Sequence, residues 1–531
     1  MKPMHKIATL FALTTALTVS SCVNDLDREP KFDVTSASVY ADPANYKAVL
    51  AKLYAVMSVS GQQGPSGKPD ISGIDEGTSN YMRLLWKLQE LPTDEAVIGW
   101  NDQTIQDFHA MRWTSSDGFV AAMYNRIFYL VAASNEFIRE TGDDRLATRN
   151  ITGDAATNAR TYRAEARFLR ALAYYHAIDM FGNVPFVTEA DAPGSFLPRQ
   201  ATRQELFNYV ESELKALETE LSAPRQAEYG RADQAAVWTL LAKLYLNAQV
   251  YTGTARWNDV ITYTSKVIGA NAYTLESTYG NLFLADNNSS RETILPVTFD
   301  GLNTKTYGGM TFLIHASIGG SMPVREFGVN SGWAGLRTTS ALVGQFTDPS
   351  GRTDKRAMFY SQGQTLEIAD ITRFTDGYAV TKYKNVTRAG QAGKDPAGDF
   401  VDTDFPLFRL ADVYLMYAEA VVRGGTGGSA ANALNYVNLL RQRAYGGTTG
   451  NITAAQLTAD FILAERAREL YWEGTRRTDL IRYNRFTEGT YLWPWKGGTA
   501  AGRAVEAFRA LYPIPATDLV ANPNLKQNTG Y

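Results

Sequence analysis

The sequence predicts a mainly α-helical protein, a tetratricopeptide-like helical scaffold with an irregular, loop-rich part carrying short strands, and three observations carry that prediction. From about residue 45 onward apolar residues recur at spacings of three and four through most of the chain, the period of an amphipathic helix. Three segments, AEARFLRALAYYHA (164–177), AAVWTLLAKLYLNA (235–248) and VYLMYAEAVV (413–422), echo one another. Small residues alternate in them with aromatics at turn spacing, as in stacked helix pairs. Between Leu282 and about Asp404 the periodicity loosens into Gly-, Thr- and Asn-rich chain containing GGMTFLIHASIGG, the isolated Trp333 and TDGYAVTKYKN. Long irregular stretches inside a folded protein usually carry functional surface.

In chain order, Lys2, His5 and Lys6 precede an apolar run over 7–19 and the small-residue site Val19-Ser20-Ser21-Cys22. That run is too short to cross a bilayer, which takes about 20 residues. It reads as a signal peptide over 1–21. Val-Ser-Ser-Cys resembles the lipobox of bacterial lipoproteins, making Cys22 the expected lipidation site, and several acyl chains there would anchor the protein stably. Residues 22–44 are then a lipidated tether, and their acidic stretch 23–29 resembles the export signal of surface lipoproteins. The expected address is the cell outer membrane, lipid-anchored and surface-exposed. A helical N-terminal region is expected over 45–281, with helices at 118–140, 155–181, 202–221, 231–249 and 255–268. The C-terminal region, 282–531, is expected to hold the loop-rich part and then returning helices near 407–418, 431–443 and 454–472. Strands are expected at 293–299 and 378–383.

Composition narrows the function. With 52 Lys plus Arg against 55 Asp plus Glu, the net charge of −3 makes nucleic acid an unexpected partner. The single cysteine excludes an internal disulfide. The 29 Tyr and 9 Trp exceed what a core requires and fit recognition of sugars or proteins. Beyond the signal segment only His109, His176 and His315 remain, and there is no HExxH, GxSxG or GxxxxGK[ST] motif. No cofactor is expected, and metal binding is left open. His176, on a helical segment, reads as a satisfied core histidine, and Gly424 to Gly428 as a connector between helices. The carboxylate pairs Asp75/Glu76 and Asp94/Glu95 contain the residue types of a glycoside hydrolase, but neighbours in sequence cannot flank a glycosidic bond, and each pair sits beside turn formers. Trp238, Trp257 and Trp472 lie on periodic faces and are expected in the core. The charges of ERARELYWEGTRR are expected to form a structural ion-pair and capping network.

A succession of motifs resembles the RagB/SusD family over nearly the whole mature chain. In order they include CVNDLDREP, GKPDISGIDEGTSNYMR, ELPTDEA, EARFLRALAYY, DMFGNVPF, AKLYLNAQVYTG, TKTYGGMTFL, DFPLFRLADVYLMYAEA, ERARELYWEGTRRTDLIRY, YLWPWKGG, YPIPATDL and NPNLKQNTGY. The resemblance implies a lid for a TonB-dependent outer-membrane transporter that binds glycans without cutting them. In the family's starch-binding type an arc of aromatics follows the curve of an α-glucan while polar side chains bond its hydroxyls. Matched motif by motif, the arc falls on Tyr307 in KTYGGMT and Trp333 in NSGWAG, and the polar contacts on Asp75 and Arg83. The sequence departs from the pattern where a third aromatic becomes Ile98 and an asparagine becomes Gln103. Trp100 supplies the missing face if the segment is a strand, since residues two apart then point the same way. The expected function is non-enzymatic capture of oligosaccharides, α-glucan or starch favoured, with the transporter as partner. Another glycan, a peptide ligand, a purely structural lid and a helical hydrolase stay open as alternatives.

Overall fold

A computed structural model of the chain describes residues 36–65, 68–191, 194 and 196–531. The expected signal peptide, Cys22 and the tether up to residue 35 lie outside the described residues. Residues 36–46 form a small unit in which helix Ser36–Tyr40 precedes a single 3-10 turn capped by Asp42, and the Tyr46 hydroxyl donates to the Tyr40 carbonyl at 2.9 Å. Residues 47–531 form a second, compact unit.

That unit is mainly helical, and its principal helices are α1 (Tyr81–Glu90), α2 (Gly118–Glu140), α3 (Gly153–Met180), α4 (Arg203–Leu217), α5 (Gln234–Leu246), α6 (Trp257–Gly269), α7 (Gly309–Ala316), α8 (Leu410–Val422), α9 (Ala430–Tyr445), α10 (Ala459–Leu470) and α11 (Arg476–Arg482). Neighbours pack in series, α2 on α3, α3 on α4, α4 on α5 and α5 on α6, in the tetratricopeptide-like manner. The series then crosses a long gap in sequence, because α6 packs on α8, and α8 on α9 and α10. Small residues permit the close approach: Ala171, Ala173 and Ala177 of α3 and Ala235, Ala236 and Ala242 of α5 are fully buried.

Local chemistry sets the helix ends. Asp233 caps α5 by accepting from the Ala236 amide, so the helix starts three residues later than the periodicity alone predicts. Thr458 does the same for α10 through the Phe461 amide, moving its start from 454 to 459, and the left-handed Trp472 (φ 64°) follows its end. Thr202 and Glu205 form a capping box at α4.

The gap between α6 and α8 is an excursion of irregular chain. It leaves along β2 (Thr293–Val297) and returns along β4 (Phe405–Arg409), which pair antiparallel with Thr293 opposite Arg409 and Val297 opposite Phe405. The remaining described strands are two-residue pairs, among them β1 (Val97–Ile98) against β3 (Leu336–Arg337) and Phe359–Tyr360 against Ala379–Val380. Among the principal helices, α1, α7 and the short α11 escape the periodicity reading. All ten residues of α1 are buried, so its polar stripe of Arg83, Lys87 and Glu90 faces the interior, and all eight of α7, within GGMTFLIHASIGG, are buried with no polar face at all.

A lattice of buried ion pairs ties excursion to scaffold. Arg409, at the end of β4, contacts Glu473 (2.6 Å), Glu292 (2.9 Å) and Glu469 (2.7 Å). Arg443 of α9 meets the same Glu292 and Glu469, and Arg356 of the excursion meets Glu465 and Glu469 of α10. Burial alone raises the pKa of Glu469, yet the charges of Arg443, Arg409 and Arg356 together pull it down to about 2. The ERARELYWEGTRR segment is thus the structural network its composition predicts. Of the three tryptophans expected in the core, Trp472 is fully buried, whereas Trp238 and Trp257 are only half-buried, Trp238 with its indole N–H on Glu218. Arg409→Met is expected to leave buried carboxylates uncompensated and to cost about 3–5 kcal/mol, read as a lower denaturation midpoint with an unchanged slope. An unaltered midpoint would contradict this account of the lattice.

Candidate functional site

Two stretches far apart in sequence, residues 75–100 and 307–333, meet at one surface. The loop before α1 carries Asp75, α1 carries Arg83, the chain leaving β1 carries Trp100, and the excursion carries Tyr307 and Trp333. The loop before α1 is held from below by Arg126 of α2, whose guanidinium donates to the Ser79 and Ser60 carbonyls at 2.7 and 3.0 Å. Asn80 caps α1 through the Arg83 amide (3.0 Å) and donates to the Ser58 carbonyl (2.6 Å). Arg83 then joins the two stretches, because its Nη1 donates to the carbonyls of both Gly77 and Tyr307, each at 2.9 Å.

Three rings form a curved platform. The Trp100 and Trp333 centroids lie 6.4 Å apart with planes at 43°, and Trp333 and Tyr307 lie 6.3 Å apart at 65°. Tyr307 is exposed, and the two tryptophans are half-buried. The Trp100 indole N–H donates to the Trp333 carbonyl at 3.1 Å. Behind the platform, Phe312 of α7 meets Trp100 edge-on at 5.9 Å, His315 stacks on Trp333 at 4.7 Å, and Phe400 supports Tyr307 at 5.7 Å. Trp100 also needs Gly335, since a Cβ there would sit 2.5 Å from the indole Cε2.

Ile98 is fully buried in β1 opposite Leu336, so it presents no face to solvent. The extended pairing continues one residue further, the Gly99 amide donating to the Gly335 carbonyl at 3.0 Å, and the half-buried ring at the surface is that of Trp100. Asp75 is exposed at the rim, its Oδ1 accepting from the Thr78 amide at 2.7 Å. Gln103 is exposed and left-handed (φ 42°), with its side-chain oxygen against Gly118 at the start of α2. Among the described residues no ring contact or hydrogen bond joins Gln103 to the platform.

Burial lowers the Arg83 pKa to about 10, against the opposing charges of Asp102 and Asp75. Its Nε is buried without a hydrogen-bond partner while Nη1 serves both carbonyls, so the guanidinium acts as a clamp between the two stretches of chain. Lys87, one turn further along α1, is buried, lies 3.8 Å from the Phe119 ring centroid, and is held well below the usual ammonium range by desolvation. The other sequence candidates are structural. Asp94 receives two hydrogen bonds from Arg476 (2.7 and 2.6 Å) and one from Tyr491 (2.5 Å). Glu95 accepts from the Trp472 amide and is pushed up by burial to about 7. His176 is buried on the Tyr81 hydroxyl at 2.8 Å, as its helical setting predicts. Phe312, His315 and Phe400 escape the sequence reading, although Phe312 and His315 stand three apart on one turn of GGMTFLIHASIGG.

Fold and surface together define a tetratricopeptide-like helical protein with an aromatic platform shared between the helical scaffold and an inserted loop region. The chain belongs to the SusD family. The SusD family profile matches residues 350–531, and the profile described as starch-binding associating with outer membrane matches residues 72–246. It is 36% identical to the starch-binding protein SusD of Bacteroides thetaiotaomicron across 97% of this chain and 96% of that one. It is 25% identical to a SusD-like protein of Bacteroides ovatus across 92% and 84%. Among solved structures, surface glycan-binding protein A from Bacteroides fluxus matches with a TM-score of 0.70 at 20% identity, over 92% of this chain and 100% of that one. Surface glycan-binding protein A from Bacteroides thetaiotaomicron, in complex with laminarihexaose, matches with a TM-score of 0.70 at 19% identity, over 91% and 99%. Gly335→Ala is expected to displace the Trp100 ring and change the near-ultraviolet circular dichroism of the native protein. An unchanged spectrum would show that the ring does not depend on that close approach.

Proposed function

We propose that the protein is a non-catalytic, lipid-anchored surface protein of the outer membrane that captures oligosaccharides, α-glucans such as starch foremost. It passes them to a TonB-dependent transporter for uptake. The observation that carries this reading is the platform of Trp100, Trp333 and Tyr307, with Arg83 and Asp75 at its edge. Sugar rings offer a C–H face to aromatics and a rim of hydroxyls to polar side chains, so such a constellation suits them. Each ring is turned against the next, which favours a curved α-glucan over a straight, ribbon-like chain. The starch-binding relative of Bacteroides thetaiotaomicron supports the same preference.

Membership of the SusD family supports the transporter partnership. The sequence around Cys22 supports the anchor, and no helix among the described residues is long and apolar enough to cross a membrane. The state of the carboxylates favours binding over hydrolysis, because Asp94 is occupied by Arg476 and Tyr491, whereas a glycosidase needs two free carboxyls flanking the bond.

The test is affinity electrophoresis of the soluble form lacking residues 1–22, through gels containing starch, pullulan, levan, xylan or mannan, beside Trp333→Ala. Starch is expected to retard the protein, and the variant to bind about tenfold more weakly as one stacking face is lost. Free migration in starch would overturn the α-glucan assignment, retardation by another polymer would redirect it, and release of reducing sugar would favour a hydrolase.

A further inference from the structure

Trp333 has two faces, and the chain itself covers one of them. The imidazole of His315 stacks on the indole with centroids 4.7 Å apart and planes at 25°, the flattest contact any platform ring makes. His315 is 1% exposed and stands near the end of α7. Its Nδ1 lies 2.8 Å from the Ser331 carbonyl, and since a carbonyl only accepts, Nδ1 carries the proton. The same turn is fastened through the backbone, the Trp333 amide donating to the His315 carbonyl and the Gly335 amide to that of Ala316, both at 2.8 Å. One residue therefore grips the platform loop by its side chain and its carbonyl, and backs the ring that faces outward.

We propose that His315 is a positioning residue of the platform, its buried imidazole holding the Trp333 indole at the angle at which that ring meets a sugar. This rests on the glycan-binding reading above. It makes the platform sensitive to acid. Burial holds the His315 pKa below the ordinary histidine range, against the pull of the Ser331 and Asp399 backbone and the Asp399 charge. Asp399, on the turn against which Asn330 is bonded, is the charged group facing it. The other residues of α7 and those of the 331–335 turn carry no ionisable side chain. For a group depressed in this way the folded arrangement is favoured above the unfolded pKa of about 6.5 and loses that advantage as pH falls through it toward the folded value. A proton forced onto the buried ring then loosens the turn that carries Trp333.

The test uses the full chain in mild detergent, with maltoheptaose as the probe, and compares wild type with His315→Ala and His315→Phe. His315→Ala is expected to weaken binding about fivefold at pH 7.5, and His315→Phe, which keeps a flat ring under Trp333, to recover most of that loss. The Trp333 signal, taken as the fluorescence difference from Trp333→Phe, is expected to change between pH 7.5 and 4.5 in wild type and to stay level in His315→Phe. Binding by His315→Ala equal to wild type, absence of rescue by phenylalanine, or the same pH response in both proteins would overturn the proposal. If wild type binds no maltoheptaose, the α-glucan reading fails, and the Trp333 difference signal still decides the role of His315.

Discussion

The architecture depends on one shared carboxylate. Glu469 of α10 is approached by Arg356 from the excursion, Arg409 from the returning strand and Arg443 from α9, three pieces of chain that no local hydrogen bond would bring together. In a low-dielectric interior such a cluster is tolerable only when every charge is matched, because each unmatched ion costs several kcal/mol. A slip of β4 by one residue would turn Arg409 to the opposite face and strand its partners. The lattice therefore contributes more to the choice of register than to net stability, and the irregular segment owes its one position to it.

The platform inherits that definition through a chain of smaller contacts. Arg126 holds the loop before α1, Arg83 binds that loop to the Tyr307 carbonyl, and the Trp100 indole binds β1 to the Trp333 turn. Two of these three links run from a charged donor to a backbone carbonyl, a geometry that fixes main chain and leaves aromatic faces free. Such preorganisation matters for a ligand as hydrated as a sugar, since little binding energy is left to order the site.

Much of this was legible in the residues. Long helices with closely recurring apolar and small residues, such as α2, α3 and α5, declare themselves by length and spacing, and the alternation of Arg and Glu between 465 and 482 announces a network because so many charges cannot all face water on one short segment. Tyr307 and Trp333 stood out as aromatics in chain with no periodicity to bury them, and the structure brings both to one surface with Trp100. The helices α1 and α7 were illegible for different reasons: α7 is apolar and buried on every side, whereas α1 is only ten residues long and turns its polar stripe of Arg83, Lys87 and Glu90 inward. Phe312, His315 and Phe400 were hidden with them, since a residue that supports a platform from behind has the composition of core.

The pairing of β2 with β4 brings the two ends of the excursion side by side, Val297 opposite Phe405. For a flexible loop whose ends are already joined, closure entropy grows only with the logarithm of length, and doubling the enclosed chain adds about 0.6 kcal/mol. The neck thus behaves as a socket: the helices on either side sense little of how much polypeptide is plugged into it. Exposed turns of the excursion can be lengthened or shortened while the array beneath keeps its shape, provided Arg356 and Arg409 still find Glu469 and α7 still packs on α1.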